Sequence, residues 1–269
     1  MTRTAHDNTN DRANVARVYD AALGGTANFA ADRAAFDALL ALYPDARPGA
    51  QANRAFLRRA VAYLALQGID QFLDVGSGLP TAGNVHEVAQ QINPAAHIVY
   101  VDNDPVAVRY SRQILAEDGV RGVTAIEADL RDPAAILAHP RTRRLLDVHR
   151  PIGLLLVAVL HFILDDEEAR RSVDALTAAL RPGSYLVVAH GTYDGASPET
   201  LARFMRLYEA STSQVAFRPR AAVESFFDGF ELVEPGLVYA PAWRPDGADD
   251  PLYDEPERAP NWAGVSRKP

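Results

Sequence analysis

The chain has no cysteine among its 269 residues. That removes disulfides, zinc–thiolate centres, iron–sulfur clusters and cysteine nucleophiles together, and it fits a reducing cytoplasm. Long hydrophobic runs are missing too. The longest, Ile152 to Leu160, falls well short of the roughly 20 apolar residues that a membrane span needs. It reads as a central strand buried on both faces. Met1 to Asn10 contains no apolar core of the kind a secretory signal carries. Basic residues are outnumbered, 27 Lys and Arg against 35 Asp and Glu, for a formal net charge of −8. An acidic surface suits phosphate backbones poorly, so neither nucleic acid nor a membrane is expected as a partner. What is abundant is apolar: 48% of the residues are hydrophobic, enough for a large core and too much for disorder.

Residues 1–13 are polar and read as a disordered tail. Residues 14–269 are expected to form one domain, with a helical cap or lid over 14–68 and an α/β core over 69–269. In the cap, Val15, Val18, Ala22 and Leu23 recur at helical spacing before Gly24-Gly25. Asp32 can cap a second helix ended by Pro44, and a third spans about Ala50 to Leu66. From residue 71, strands and helices alternate: strands at 71–75, 97–101, 123–128, 152–160 and 184–189, and helices near 84–92, 105–117, 165–180, 198–211 and 219–227. The end reads as antiparallel strands, Phe230–Val233 with Gly236–Tyr239, and Trp262–Ser266. Pro241 to Pro260, rich in Pro, Asp and Glu, reads as a surface loop. The class is a doubly wound α/β sheet with helices on both faces.

The first strand runs Phe72-Leu73-Asp74-Val75 into Gly76-Ser77-Gly78. Glycines here let backbone approach a ligand where a side chain would obstruct it. A nicotinamide fingerprint wants a third glycine where Thr81 stands. Asp74 ahead of the turn suits a cofactor with an ammonium group and no phosphate. A tight turn without ligand is the competing reading. Asp102 ends the second strand, where a carboxylate can accept both ribose hydroxyls, and neighbouring Asp104 can cap the helix that starts at Pro105. Asp129 ends the third strand, within reach of an adenine amino group, or is a plain loop aspartate.

Asp74-Val-Gly-Ser-Gly78, Val101-Asp-Asn-Asp-Pro105, Glu127-Ala-Asp129 and Leu180-Arg-Pro-Gly-Ser-Tyr-Leu-Val187 resemble the motifs of class I S-adenosylmethionine-dependent methyltransferases. Asn14-Val-Ala-Arg-Val-Tyr-Asp20, Asn28-Phe-Ala-Ala-Asp-Arg33, Ala52-Asn-Arg-Ala-Phe-Leu-Arg-Arg59, Asn84-Val-His-Glu87 and Val157-Ala-Val-Leu-His-Phe162 are similar to one bacterial family of such proteins, long filed as a domain of unknown function. The resemblance covers nearly the whole chain from residue 14. It implies a Rossmann-like, seven-stranded sheet in the order 3-2-1-4-5-7-6 with strand seven antiparallel. It implies S-adenosyl-L-methionine across the carboxyl ends of strands one to three. Gly76, Ser77 and Gly78, with Asp74, would then face its methionine part, Asp102 and Asn103 its ribose, and Asp129 with Leu130 its adenine. Tyr19, Gly24, Gly25 and Asn28 are candidates for the lid; alternatively Tyr19 is core and the glycines only end a helix.

His161 lies after the buried fourth strand, where it could act as a general base or hydrogen-bond the backbone. His190 ends the next strand in the equivalent place. His86, on a helix start, reads as structural. Asp165 to Glu168 read as a solvated helix start favoured by the helix dipole, not a metal site. The expected function is a cytoplasmic S-adenosylmethionine-dependent methyltransferase acting on a small molecule. A non-catalytic adenosyl-binding sensor and a nicotinamide-dependent oxidoreductase are the rival classes.

Overall fold

The computed structural model describes residues 12–79, 83–195, 197, 199, 201–202 and 214–269. Pro80, Thr81, nearly all of the tail and nearly all of the helix read over 198–211 lie outside the described residues.

Among the described residues eight strands make one sheet: β1 (Gln71–Val75), β2 (His97–Asp102), β3 (Val123–Glu127), β4 (Gly153–Val157), β5 (Tyr185–Gly191), β6 (Glu231–Leu232), β7 (Val238–Tyr239) and β8 (Asn261–Arg267). The order is β3-β2-β1-β4-β5-β8-β6, with β7 also paired to β8. β1 to β5 are parallel and β8 runs antiparallel to β5. The seven strands implied by the resemblance become eight because Val233-Glu-Pro-Gly236 turns the chain. Gly236 donates back to the Val233 carbonyl at 2.8 Å, and Pro235 has no N–H to give a ladder. One expected strand is thereby split into β6 and β7.

Alternation along each central strand sends neighbours to opposite faces. Phe72, Ile98 and Leu155 join one apolar cluster with Phe56, Val61 and Leu64 of the helix Ala46–Leu66. Leu73, Val99, Leu154 and Leu156 join the other, with Ile136, Val173 and Leu176. The chain order reverses between β1 and β4, which is where an open parallel sheet leaves a crevice at its carboxyl ends.

Three helices precede the sheet, α1 (Val15–Ala22), α2 (Ala30–Leu42) and α3 (Ala46–Leu66). Asp32 does not cap α2 from outside. It is the third residue of the helix and accepts the Phe29 N–H at 2.8 Å, as a capping-box carboxylate does. The same carboxylate takes the Asn14 N–H at 2.9 Å and Arg17 Nε at 2.8 Å, with both charged side chains almost fully buried. α3 starts four residues before the expected point because Pro48, third in the helix, needs no intrahelical acceptor for an N–H there.

The core helices are α4 (Val85–Ile92), α5 (Pro105–Glu117), α6 (Pro133–Ala138), α7 (Pro140–Leu145), α8 (Asp166–Ala178) and α9 (Arg220–Glu224). α5 has its expected bounds, with Asp104 accepting the Val106 N–H at 2.8 Å. Asp165 caps α8 through the Glu168 N–H at 2.7 Å. The acidic run therefore begins a helix, as read. His86 hydrogen-bonds Tyr100 Oη at 2.8 Å inside the core.

The loop 241–260 is not merely superficial. Trp243 is fully buried, edge to face with Phe56 at 5.5 Å. Arg59 of α3 donates to the Trp243 and Ala240 carbonyls at 2.9 Å each and to Asp250 at 2.8 Å. Composition conveys neither contact.

Removing one partner of a buried ion pair strands the other. Asp32→Ala should lower stability by about 3–5 kcal/mol in urea denaturation, and a loss under about 1 kcal/mol would show that Arg17 finds water or another acceptor.

Candidate cofactor and acceptor site

A cavity of about 800 Å³ lies over the carboxyl ends of β1 to β4 and under α1 to α3. Its floor is the 74–78 turn, Asp102 to Asp104, Ala128 to Arg131 and the segment 157–164. Its roof is α1 with Phe36, Leu39, Ala50, Asn53 and Leu57 of the other two cap helices.

The glycine turn is shaped from within the protein. Gly76 has φ +76°, and a Cβ there would lie 2.2 Å from Val159 Cγ2, a distance no atom pair tolerates. Gly78 has φ +61° and faces Ala16 of α1. Gly76 and Ser77 both donate to the Val101 carbonyl, at 2.8 and 3.1 Å. Gly78 donates to Asp102 Oδ2 at 2.8 Å and Asp104 to Asp102 Oδ1 at 2.9 Å. Burial raises the Asp102 carboxyl above its ordinary range, while those amides pull it back. Asn14 joins cap to core: its Oδ1 accepts the Ala16 N–H at 2.9 Å and its amide donates to Asp104 at 2.8 Å.

Asp129 is held low by the Arg131 guanidinium, which reaches its two oxygens at 2.9 and 2.6 Å. Asp74 is different. Burial pushes it up to about 7, opposed by Arg54 and reinforced by Asp102. Tyr19 lines the cavity, accepts from Asn53 Nδ2 at 2.9 Å and donates to the Ala50 carbonyl at 3.2 Å. Asn53 Oδ1 is buried with no partner among the described residues. Asn28 does not line the cavity. Its amide is spent on Asp20 and the Gly25 carbonyl, both at 2.8 Å. Gly25 is glycine because a Cβ would fall 2.0 Å from Asp20 Oδ1. Gly24, Gly25 and Asn28 therefore build the turn behind Tyr19.

The strand read over 152–160 ends at Val157, where Ala158 turns the chain with φ +57°. His161 consequently sits in a 3₁₀ turn, Leu160–Phe162, and lines the cavity. Burial, with the Arg218 charge adding to it, pushes His161 down to about 4. Its Nδ1 is buried and without a partner among the described residues. His190 is fully buried and does not line the cavity. Arg218 lies 2.8 Å from its Nε2, and its Nδ1 is 2.7 Å from the Gly191 carbonyl. An arginine only donates, so Nε2 accepts and Nδ1 carries the proton. With both nitrogens engaged, His190 is not a base. Arg218, itself buried, also donates to the Leu160 and Ile163 carbonyls at 3.2 and 2.9 Å and to Asp166 at 2.8 Å. Among the described residues no three His, Asp or Glu side chains gather as a metal site would need.

A family model described as S-adenosyl methyltransferase matches residues 2–269. The chain belongs to that family. This methyltransferase is 40% identical to a solved DUF574 family protein of Streptomyces avermitilis MA-4680, over 97% of this chain and 99% of that one, with a TM-score of 0.90. It is 41% identical to a solved protein of Thermobifida fusca YX, over 100% and 99% of the two chains, with a TM-score of 0.89. An O-methyltransferase family protein of Burkholderia thailandensis, 15% identical over 83% of this chain and 59% of that one, with a TM-score of 0.54, shares the fold. A search of curated proteins yields no match. The sheet is that of class I enzymes, and the family's cofactor is S-adenosylmethionine.

The methyltransferase's cavity fits that cofactor. Its volume lies within the roughly 300–1,000 Å³ of small-molecule sites. The orphaned Asn53 carbonyl and the buried Asp74 suit a cation, and strand-end carboxylates suit hydroxyls and an amino group. Asn14, Asn53 and Arg218 were not anticipated as site residues. Asn14 carried a usable signal, an Asn directly before the first helical residue. Asn53 lay within a stretch that resembles the family, Ala52 to Arg59, but with no role attached, and Arg218 carried no signal, since an Arg in a loop acquires meaning only from what it faces. No helix among the described residues is long and apolar enough to cross a membrane.

Asp74 makes stability depend on pH. Its folded value, about 7, exceeds its ordinary value of 3.8, so between them the folded protein keeps a proton that the unfolded chain releases. Stability from this group is then present at low pH and lost as pH rises from about 4 to about 7. Urea denaturation of the ligand-free protein should show it losing up to about 4 kcal/mol relative to Asp74→Asn across that window. A gap independent of pH would mean that Asp74 titrates normally.

Proposed function

We propose that this methyltransferase acts on a small molecule held beneath the helical cap, with residues 14–68 serving as the lid of one domain that extends to residue 269. The carrying observation is that strand-end carboxylates and apolar cap residues line one roofed cavity. A roofed space admits a small acceptor and excludes a polymer, and the net charge of −8 weighs against nucleic acid. The cysteine-free chain suits a reducing cytoplasm.

In this reading Asp102, beside Asn103, accepts the ribose hydroxyls, and Asp129 with Leu130 borders the adenine. Gly76, Ser77 and Gly78 run along the methionine part, while Asp74, Tyr19 and Asn53 receive its ammonium. When bound, S-adenosylmethionine supplies an electrophilic methyl on a positively charged sulfur that leaves readily. The chain's own contribution is then mainly to position and to exclude water. α1 closes over the turn through Asn14 and Asp104. His161, neutral near pH 7, accepts a hydrogen bond from the acceptor and can take its proton as the new bond forms. Asn28 keeps a supporting place, holding the turn behind Tyr19.

Calorimetric titration with S-adenosylmethionine, its demethylated product and NAD tests the reading. Binding of the adenosyl pair with silence from NAD is expected, and binding of NAD alone would overturn it. Asp102→Ala should weaken the demethylated product by about 10- to 100-fold through lost charge-assisted hydrogen bonds. A folded variant with unchanged affinity would remove Asp102 from the ribose. His161→Ala should bind the cofactor normally but turn over more slowly, by about 10²-fold or more. Full turnover in that variant would leave catalysis to positioning alone.

A further inference from the structure

Beside His161 the main cavity adjoins a smaller one of about 140 Å³. His161, Ala50 and Asn261 border both spaces. Tyr43, Gly191, Val215, Phe217 and Pro260 border the small one alone. The Tyr43 hydroxyl is spent on the Arg258 carbonyl. Two aromatic rings and a proline ring thus face a space with little polar character.

Its size is informative. A sealed apolar cavity of about 150 Å³ in another protein takes up benzene, so this slot, of similar size and open to the main cavity, has room for one six-membered ring. Gly191 keeps it open: a Cβ there would lie 3.2 Å from two Phe217 ring carbons and 3.6 Å from His161 Nδ1. That same Nδ1 is the buried nitrogen with no partner among the described residues, and an unmet buried polar atom is costly until a ligand satisfies it. The ring is held in place from behind. His190 packs against it at 88° with centroids 5.7 Å apart, and Arg218 grips the carbonyls of Leu160 and Ile163 on either side.

We propose that this slot is the acceptor subsite and that it takes a single hydroxylated aromatic ring, the hydroxyl meeting His161. The assignment rests on the small-molecule reading above and names its substrate class. Tyr43 and Phe217 flank the ring, and Gly191 sets its width. Arg218 and His190 are positioning residues for His161.

Phenol is the probe, titrated calorimetrically into the full chain saturated with S-adenosylhomocysteine. Phenol should bind, and 2-naphthol should bind at least about tenfold more weakly. Gly191→Val should weaken phenol by at least about tenfold while leaving S-adenosylhomocysteine within about twofold. Phe217→Ala should abolish the preference for phenol over 2-naphthol. If S-adenosylhomocysteine binds but phenol does not, or phenol binds equally to Gly191→Val, the subsite is wrong and the methyltransferase reading stands. Failure of S-adenosylhomocysteine to bind would remove both. Should Gly191→Val not fold, an unchanged phenol preference in Phe217→Ala overturns the proposal by itself.

Discussion

Gly76 and Val159 occupy a space with no room for another carbon atom. The turn after β1 and the turn after β4 touch there, and their contact sets where everything else at the carboxyl edge lies. On one side it places the Gly78 amide against Asp102 and so joins β1 to β2. On the other it fixes the start of the segment that carries His161. A ligand at this edge meets two turns in mutual contact, not two loops adjusting independently. The glycine that looks like an adaptation to a ligand is first an adaptation to a valine.

Burial of polar groups at the site follows one pattern. At Asp129 a guanidinium holds the carboxylate low, and at Asp102 backbone amides oppose burial without cancelling it. Where a group lacks such partners, burial wins. Asp74 rises and His161 falls, each toward neutrality. The site's own residues therefore carry less charge than their types suggest, and Asn53 and His161, each with a buried atom that has no partner among the described residues, border the cavity.

Much of the architecture was legible in the sequence, because periodicity and turn chemistry report local structure directly. The parallel strands, the bounds of α5 and the Asp104 cap all follow from residues that determine their own surroundings. The differences have more than one cause. Asp32 caps α2 as read, through the Phe29 N–H, but its further partners come from the N-cap and first turn of α1, Asn14 and Arg17. Ile152 to Leu160 looked like one strand because hydrophobicity does not register the backbone reversal at Ala158. Trp243 and Arg59 bind a loop that composition marks as solvent-facing. Asn28 looked like a lid residue, and its amide is held by Asp20 of α1 and by the Gly25 carbonyl. Distant partners decide the Trp243 and Arg59 contacts, whereas Asn28 and Ala158 depend on local backbone geometry that residue type alone does not report.

β8 enters the sheet between β5 and β6, and its end is tied down by the residue that follows. Lys268 donates its backbone N–H to the Ser184 carbonyl, and its ammonium to the Thr177 carbonyl of α8 and the Leu180 carbonyl just beyond it, at 2.9 Å each. The sheet's final strand in chain order is thus an interior one. While the chain is being synthesised, β5 must wait with an open edge until residue 267 has left the ribosome tunnel. Such an edge is an invitation to pair with other chains. Biogenesis of this fold therefore has a vulnerable interval that ends only when its last strand is delivered.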